Sequence, residues 1–347
     1  MSSSILSSLP TWVVLVTLAL FSSAPSPSSR IDQGLFDQDT PLDAELTFDF
    51  REFSKEKYEE EYHPAYLKVA SKDGNWTADS IRIRSRGNFR KQYCHLPPIK
   101  LNLKGSVFQS QETKTLSKIK MVTSCKNQDQ FQQFVLREYL AYRIYQILTP
   151  WSFRVRLIRL KLIDSTGKRK DRQQYGFVIE PIKHLAERMD CLEIEPPRLR
   201  DGDLDRQQAT LMYLFEYLVG NTDYSIGNLH NLKVIRPDDV KDDRIMPIPY
   251  DFDYTGLANT NYAIPHEKLG TDDVKIRIYL GACRGEAEWN QAWELIESHQ
   301  AEILALPDQI EGLDPYSRNF CKEYLEDCFR EFSKESRRNR TLAATCH

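Results

Sequence analysis

Gly220-Asn-Thr-Asp-Tyr-Ser-Ile-Gly-Asn-Leu-His-Asn231, answered by Tyr250-Asp-Phe-Asp253, is the stretch whose reading decides the rest of the chain. Residues 207–219 before it (Gln-Gln-Ala-Thr-Leu-Met-Tyr-Leu-Phe-Glu-Tyr-Leu-Val) predict a helix that Gly220 and Asn221 end as cap residues. The loop that follows carries Asp223 and, five residues on, Asn228, with Asn231 as a neighbour able to serve in its place. A strand at 232–235, a polar turn at 237–243 and an apolar run at 245–250 lead into Asp251 and Asp253. Acidic groups at the end of a buried strand are costly unless they meet a metal or a cation. A loop with Asp and Asn, a hairpin, then an acidic pair is the order that phosphoryl transfer requires. One Asp orients a hydroxyl, while Asn and a second Asp hold a divalent ion.

Working towards the beginning of the chain, residues 131–148 predict a long helix. Phe131, Phe134, Val135, Tyr142 and Tyr145 share one stripe, and Glu138 lies in its middle. A carboxylate there needs a cationic partner or a hydrogen-bond network. Strands are expected at 46–50, 66–70, 79–84, 98–103, 117–123, 153–163 and 175–180, with a charged helical stretch at 52–61. Further helices are expected at 287–304 and 316–336, and residues 337–347 read as a polar, frayed tail.

Composition sets limits on function. The 347 residues are 41% hydrophobic and 11% aromatic, as in a folded globular protein. A net charge of −3 argues against a nucleic-acid partner, despite the basic run at 82–90. No stretch reaches the roughly 20 apolar residues of a stable membrane span. Residues 12–21 form a short apolar core followed by Ser22-Ser-Ala24, so 1–30 read as a signal peptide and linker and the protein as exported. The seven cysteines suit an oxidising compartment, and their odd number leaves at least one unpaired. No Gly-x-Ser-x-Gly or His-Glu-x-x-His pattern supports a hydrolase.

With these residues in view, the chain resembles the CotH family of secreted and spore-coat protein kinases over about half its length, from Ile81 to Gly256. The similarity rests on Arg84-Ser-Arg-Gly-Asn88 with Pro98-Ile-Lys100, on Leu136-Arg-Glu-Tyr-Leu-Ala-Tyr142 and on Tyr175-Gly-Phe-Val-Ile-Glu180. It is completed by Gly220-Asn-Thr-Asp223 and Asp251-Phe-Asp253. The resemblance implies an α+β, two-lobed protein-kinase-like fold. Its strand-rich N-lobe would span 31–180 with the 131–148 helix, and its mostly helical C-lobe 181–336, with a catalytic loop at 220–231 and a metal motif at 250–253. It implies ATP with Mg2+, or Mn2+, as cofactors. Asp223 would be the catalytic Asp, with Asn228 and Asp251 as metal ligands and Asp253 in support. Lys100 is the first choice to grip the phosphates and pair with Glu138, with Lys120 as its rival. Arg86 would cover the phosphates, and Glu180 would lie at the adenine hinge. The implied activity is transfer of phosphate to Ser or Thr of a secreted or envelope protein. The alternatives are AMP transfer or amide ligation on the same scaffold, and a pseudokinase or surface-recognition protein.

Overall fold

The chain builds a closed seven-stranded barrel whose strands follow the order β1-β2-β3-β4-β5-β7-β6. The computed structural model describes residues 35–37, 39–70, 74–87, 89–108, 114–239 and 242–347. The proposed leader at 1–30 and Asn88 lie outside the described residues. The elements run β1 Leu42–Phe48, α1 Phe50–Lys55, β2 His63–Ala70, β3 Trp76–Ser85, α2 Phe89–Tyr93, β4 Ile99–Asn102 and β5 Lys118–Val122. Then come α3 Asp129–Leu148, β6 Val155–Asp164, β7 Arg172–Ile179, α4 Ile182–Arg188, β8 Cys191–Ile194 and α5 Arg206–Val219. The chain continues with β9 Leu232–Pro237, β10 Met246–Pro249, α6 Glu286–Ser298, α7 Gln300–Gln309, α8 Pro315–Phe332 and α9 Glu335–Thr345.

Alternation along each strand makes the barrel. Leu46, Leu67, Ile83, Ile99, Leu101, Ile119, Met121, Leu160, Leu162 and Val178 share one buried cluster. Their neighbours Val122, Val155, Leu157, Phe177 and Ile179 face outward and join the larger core around α3. Closure comes from β1, which pairs antiparallel with β2 but parallel with β6, from Leu42↔Ile158 to Phe48↔Asp164. Arg159 fastens that seam with a bidentate pair to Asp43 (2.7 and 3.0 Å) and a second to Glu311 (2.8 and 2.9 Å). A separate antiparallel sheet, β10-β9-β8, lies outside the barrel.

The two-lobed kinase-like fold expected from the sequence is therefore corrected: the structure is a closed mixed barrel with helices around it and a small three-stranded sheet. Parallel docking of β1 on β6 seals an edge that an open N-lobe sheet would leave. In addition, α3 shares one continuous core with β9, β10, α5, α6 and α8, so no boundary at 180 divides the packing. Residues 35–347 form one compact unit.

Individual elements follow local rules. Helix α5 starts at Asp205, whose carboxylate accepts from the Gln208 N–H, and stops at Gly220 with φ 68°. The helix expected at 287–304 is broken at His299 into α6 and α7. The 52–61 stretch is helical only in α1. The tail read as frayed is the helix α9: Leu342 is fully buried, and Arg338 donates to the Phe332 carbonyl and Asn290 Oδ1.

Disulfides join Cys94 to Cys125 and Cys283 to Cys346, while Cys191, Cys321 and Cys328 are buried thiols. Among the described residues, no helix is long and apolar enough to cross a membrane. The Cys94–Cys125 bridge ties the end of α2 to the segment entering α3. Replacing both cysteines by serine is expected to lower the unfolding free energy by about 2–4 kcal/mol, measured by urea denaturation.

Candidate functional site

Three separate parts of the chain meet where the outer face of the barrel approaches the end of the β9–β10 hairpin. The centre is an ion triad. Arg90, on the short helix α2, donates from one guanidinium nitrogen to Glu138 Oε2 at 2.6 Å and from another to Asp253 Oδ2 at 2.9 Å. Residual exposures of 9% for Arg90, 0% for Glu138 and 6% for Asp253 place all three charges out of water. Burial works against the Arg90 charge, but Asp253 and Glu138 hold its pKa well above the usual arginine value. Burial pushes both carboxyls up, and Arg90 pulls each back. Glu138 Oε1 has no hydrogen-bond partner among the described residues. Tyr262 Oη donates to the same oxygen, Asp253 Oδ2, at 3.0 Å.

The expected lysine–Glu138 pair is thus replaced by an arginine that sequence reasoning did not single out. The signal was thin: Arg90 ends a basic run, and its partners lie 48 and 163 residues away.

The two candidate lysines are register partners, Lys100↔Lys120, in the row that also holds Arg84. Paired residues of this kind present their side chains on one face of the sheet. Lys120 sits 4.6 Å from the centre of the Tyr250 ring. Burial, with the neighbouring charge of Arg86, pushes its pKa down to about 7, and Asp251 opposes the shift. Lys100 is lowered by burial and by Arg84, Lys118 and Arg86, and the acid that opposes its shift is Glu60. Of the two, Lys120 therefore faces the acidic loop. Neither Lys120 nor Arg86 makes a side-chain hydrogen bond or ion pair among the described residues; the Arg86 backbone N–H donates to the Pro98 carbonyl.

Asp223 lies on the loop after α5, within electrostatic reach of Asp251. Its Oδ1 lies 3.0 Å from His230 Nε2, and its Oδ2 accepts from Asn231 Nδ2 at 2.9 Å. Burial raises its pKa, His230 and Asn231 lower it, and Asp251 adds to the rise. Asn228 is exposed, and its Oδ1 accepts from the His230 N–H. Of the two asparagines, Asn231 is the one turned to Asp223. The Asp251 N–H donates to Tyr142 Oη at 2.9 Å, while the Asp251 carboxylate accepts no hydrogen bond among the described residues. Leu229, Asn231 and Asp251 all have positive φ, at 54°, 51° and 68°. Such backbone costs about 1–3 kcal/mol per residue, and it persists only where surrounding structure enforces it.

Glu180 stands apart from this cluster. Its two oxygens accept from Arg154 and Arg188, with His184 Nδ1 2.7 Å away, and these contacts hold its pKa down to about 2 against the opposing effect of burial. That side chain, at the end of β7, clamps the residue before β6 to α4. A cavity of about 540 Å³ lined by Trp151, Arg206, Arg244 and Glu288 shares no residue with the charged cluster.

Behind the loop, Glu216 is 1% exposed, and its Oε2 accepts from Asn221 Nδ2 at 2.9 Å. Asn221 Oδ1 in turn accepts from the Asp223 N–H at 2.9 Å, so this buried pair sets the height of the loop. No protein-family model matches the chain, and no curated protein matches it.

Two outcomes follow from the buried charges. Arg90→Ala leaves two carboxyls buried without a cation and is expected to cost about 3–5 kcal/mol of stability by chemical denaturation. Burial holds Glu216 up to about 8 against 4.5 in the open chain, so between those values only the folded state keeps the proton. Stability then falls as pH rises through that window, by up to about 1.4 kcal/mol per pH unit. Glu216→Gln is expected to flatten the fall and to be more stable than the parent at pH 8, as read by urea midpoints across pH.

Proposed function

We propose that this cluster binds a nucleoside triphosphate with a divalent cation and transfers its terminal phosphoryl group to a hydroxyl. The observation that carries the reading is the pairing of uncommitted groups. Two basic groups, Lys120 and Arg86, lie within electrostatic reach of each other, and Lys120 faces an acidic group, Asp251, whose carboxylate accepts no hydrogen bond among the described residues. Unsatisfied cations beside an unsatisfied carboxylate fit a polyanion that arrives with its own metal.

The donor set suits such a ligand. Asp251 and Asn231 would hold the ion through oxygen, the donor atom that Mg2+ and Mn2+ prefer. Asp253 is committed to Arg90 and Tyr262, so it supports the site from behind. The bound ion would supply charge neutralisation on the phosphate oxygens. Lys120 and Arg86 would bind and orient the phosphates, Lys120 gaining its proton as the anion approaches. Asp223, raised by burial and aimed by His230 and Asn231, would accept the hydroxyl proton on its carboxylate.

The acceptor proposed is Ser or Thr of a secreted or envelope protein, and the site chemistry is that of the CotH-type kinases the sequence resembles. Two disulfides and the apolar segment at 12–21 support export. A second reading, nucleotide or anion binding without transfer, is favoured by one observation: Glu138 is held by Arg90 and leaves Lys120 without its usual acidic partner.

Incubation with Mg-ATP and a pool of secreted proteins, followed by intact mass, separates the outcomes. Transfer adds about 80 Da to the acceptor and AMP addition about 329 Da. Asp223→Ala is expected to slow transfer by about 10²–10⁴-fold while leaving nucleotide binding intact. Asp251→Ala is expected to abolish the Mg-dependent rise in melting temperature with ATP. Absence of any such rise in the parent protein, with Asp251→Ala indistinguishable from it, would remove the proposal.

A further inference from the structure

A second group of metal-ligating side chains lies at the entrance to the barrel wall, on α1 and the first residue of β2. Asp49 caps α1 by accepting from the Arg51 and Glu52 N–H groups, and Phe50 and Phe53 turn into the barrel cluster. Glu52 and Glu56, four residues apart, then fall on the same side of the helical turn. Opposite them β2 begins with His63, which is 8% exposed and has its ring edge-on to Phe53 at 5.7 Å. Single ligand atoms from Glu52, Glu56 and His63 all lie within 4.8 Å of one another.

What marks the group is the lack of any other partner. His63 Nδ1 is 3.7 Å from Glu56 Oε2, beyond hydrogen-bond length, and neither ring nitrogen makes a hydrogen bond among the described residues. A buried imidazole beside two carboxylates, with no lysine or arginine paired to either of them among the described residues, makes a set of ligand atoms that one bound cation would satisfy together. Neighbouring basic side chains are engaged elsewhere: Lys57 Nζ donates to the Cys94 carbonyl, and Lys91 and Arg84 pair with Glu60.

We propose that Glu52, Glu56 and His63 form a site for a divalent transition-metal ion of the zinc class. One imidazole nitrogen and two carboxylates suit Zn2+, which is commonly held by three protein ligands with water in the fourth position. Ligand atoms around a tetrahedral Zn2+ stand about 3.3 Å apart, from bond lengths of about 2.0–2.1 Å. The group must therefore contract by roughly 1.5 Å at its widest separation, within reach of a rotamer change of exposed Glu52. The fourth position opens on the solvent side, where Glu52 lies. An imidazole ligand also separates this site from the all-oxygen set at Asp251 and Asn231, to which Mg2+ is suited.

The test uses the tag-free full chain, freed of metal, titrated with ZnCl2 against a chromophoric chelator in excess Mg2+. One Zn2+ is expected to bind, with affinity reduced about tenfold or more by Glu52→Gln and by Glu56→Gln. Asp251→Ala is expected to leave that affinity unchanged. The two glutamates carry the test because His63 packs on Phe53 and its replacement could disturb folding. No Zn2+ bound, affinity unchanged from the parent in both glutamate variants, or loss in Asp251→Ala would each overturn the site.

Discussion

The buried contact of Arg90 with Glu138 and Asp253 is the constraint on which the arrangement of the site depends. It joins a helix inserted between β3 and β4, the long helix α3 and the loop after β10. Taking these charges out of water is costly, and the geometry recovers the cost only while all three are present. The contact therefore acts as a register pin rather than as surplus stability. Cys94–Cys125 reinforces it covalently, holding the end of α2 next to the start of α3. Once Asp253 is fixed by Arg90 and Tyr262, the backbone at Asp251 is drawn into its positive-φ conformation, with its N–H on Tyr142. The strain is local, and its effect is to leave the Asp251 carboxylate uncommitted.

Around that pin the site has two walls of opposite character. The barrel contributes cations from adjacent register positions, Arg84, Lys100 and Lys120, with Arg86 just past the strand end. Burial, and then like charges held this close, depress the lysine pKa values, Lys120 to about 7. The facing hairpin and loop contribute Asp223, Asn231 and Asp251, supported from below by Asn221 and buried Glu216. An electrostatic clamp of this kind owes its form to the packing of the barrel on the small sheet, and fold alone does not name its chemistry.

Much of the secondary structure was legible in the sequence because periodicity is a local signal. Helix α5 with its Gly220 stop, helix α3, and strands β3 to β7 fall within a few residues of where alternation and capping place them. The architecture was not legible, because closure depends on Leu42 finding Ile158 across 116 residues, in a parallel pairing that no local pattern announces. Within the site, Asp223 and Asp251 stood out through their spacing. Arg90 did not, since a lone arginine in a basic run looks the same whether it is solvated or buried between two acids. Lys100 and Lys120 are register partners on one face, and they differ in the acid near each, Glu60 for one and Asp251 for the other; Asn228 and Asn231 differ in which amide turns to Asp223. The last helix was misread because Arg338 is buried through hydrogen bonds rather than apolar contact.

The central claim is that Asp251 and Lys120 face one ligand, a metal-bound triphosphate. It is tested most directly by crystals grown with Mn2+ and a non-hydrolysable ATP analogue, using anomalous scattering to place the ion. A manganese peak is expected in contact with the Asp251 carboxylate, with phosphate oxygens on Lys120 and Arg86. An ordered nucleotide bound elsewhere, or manganese absent from Asp251 while the analogue is present, would contradict it.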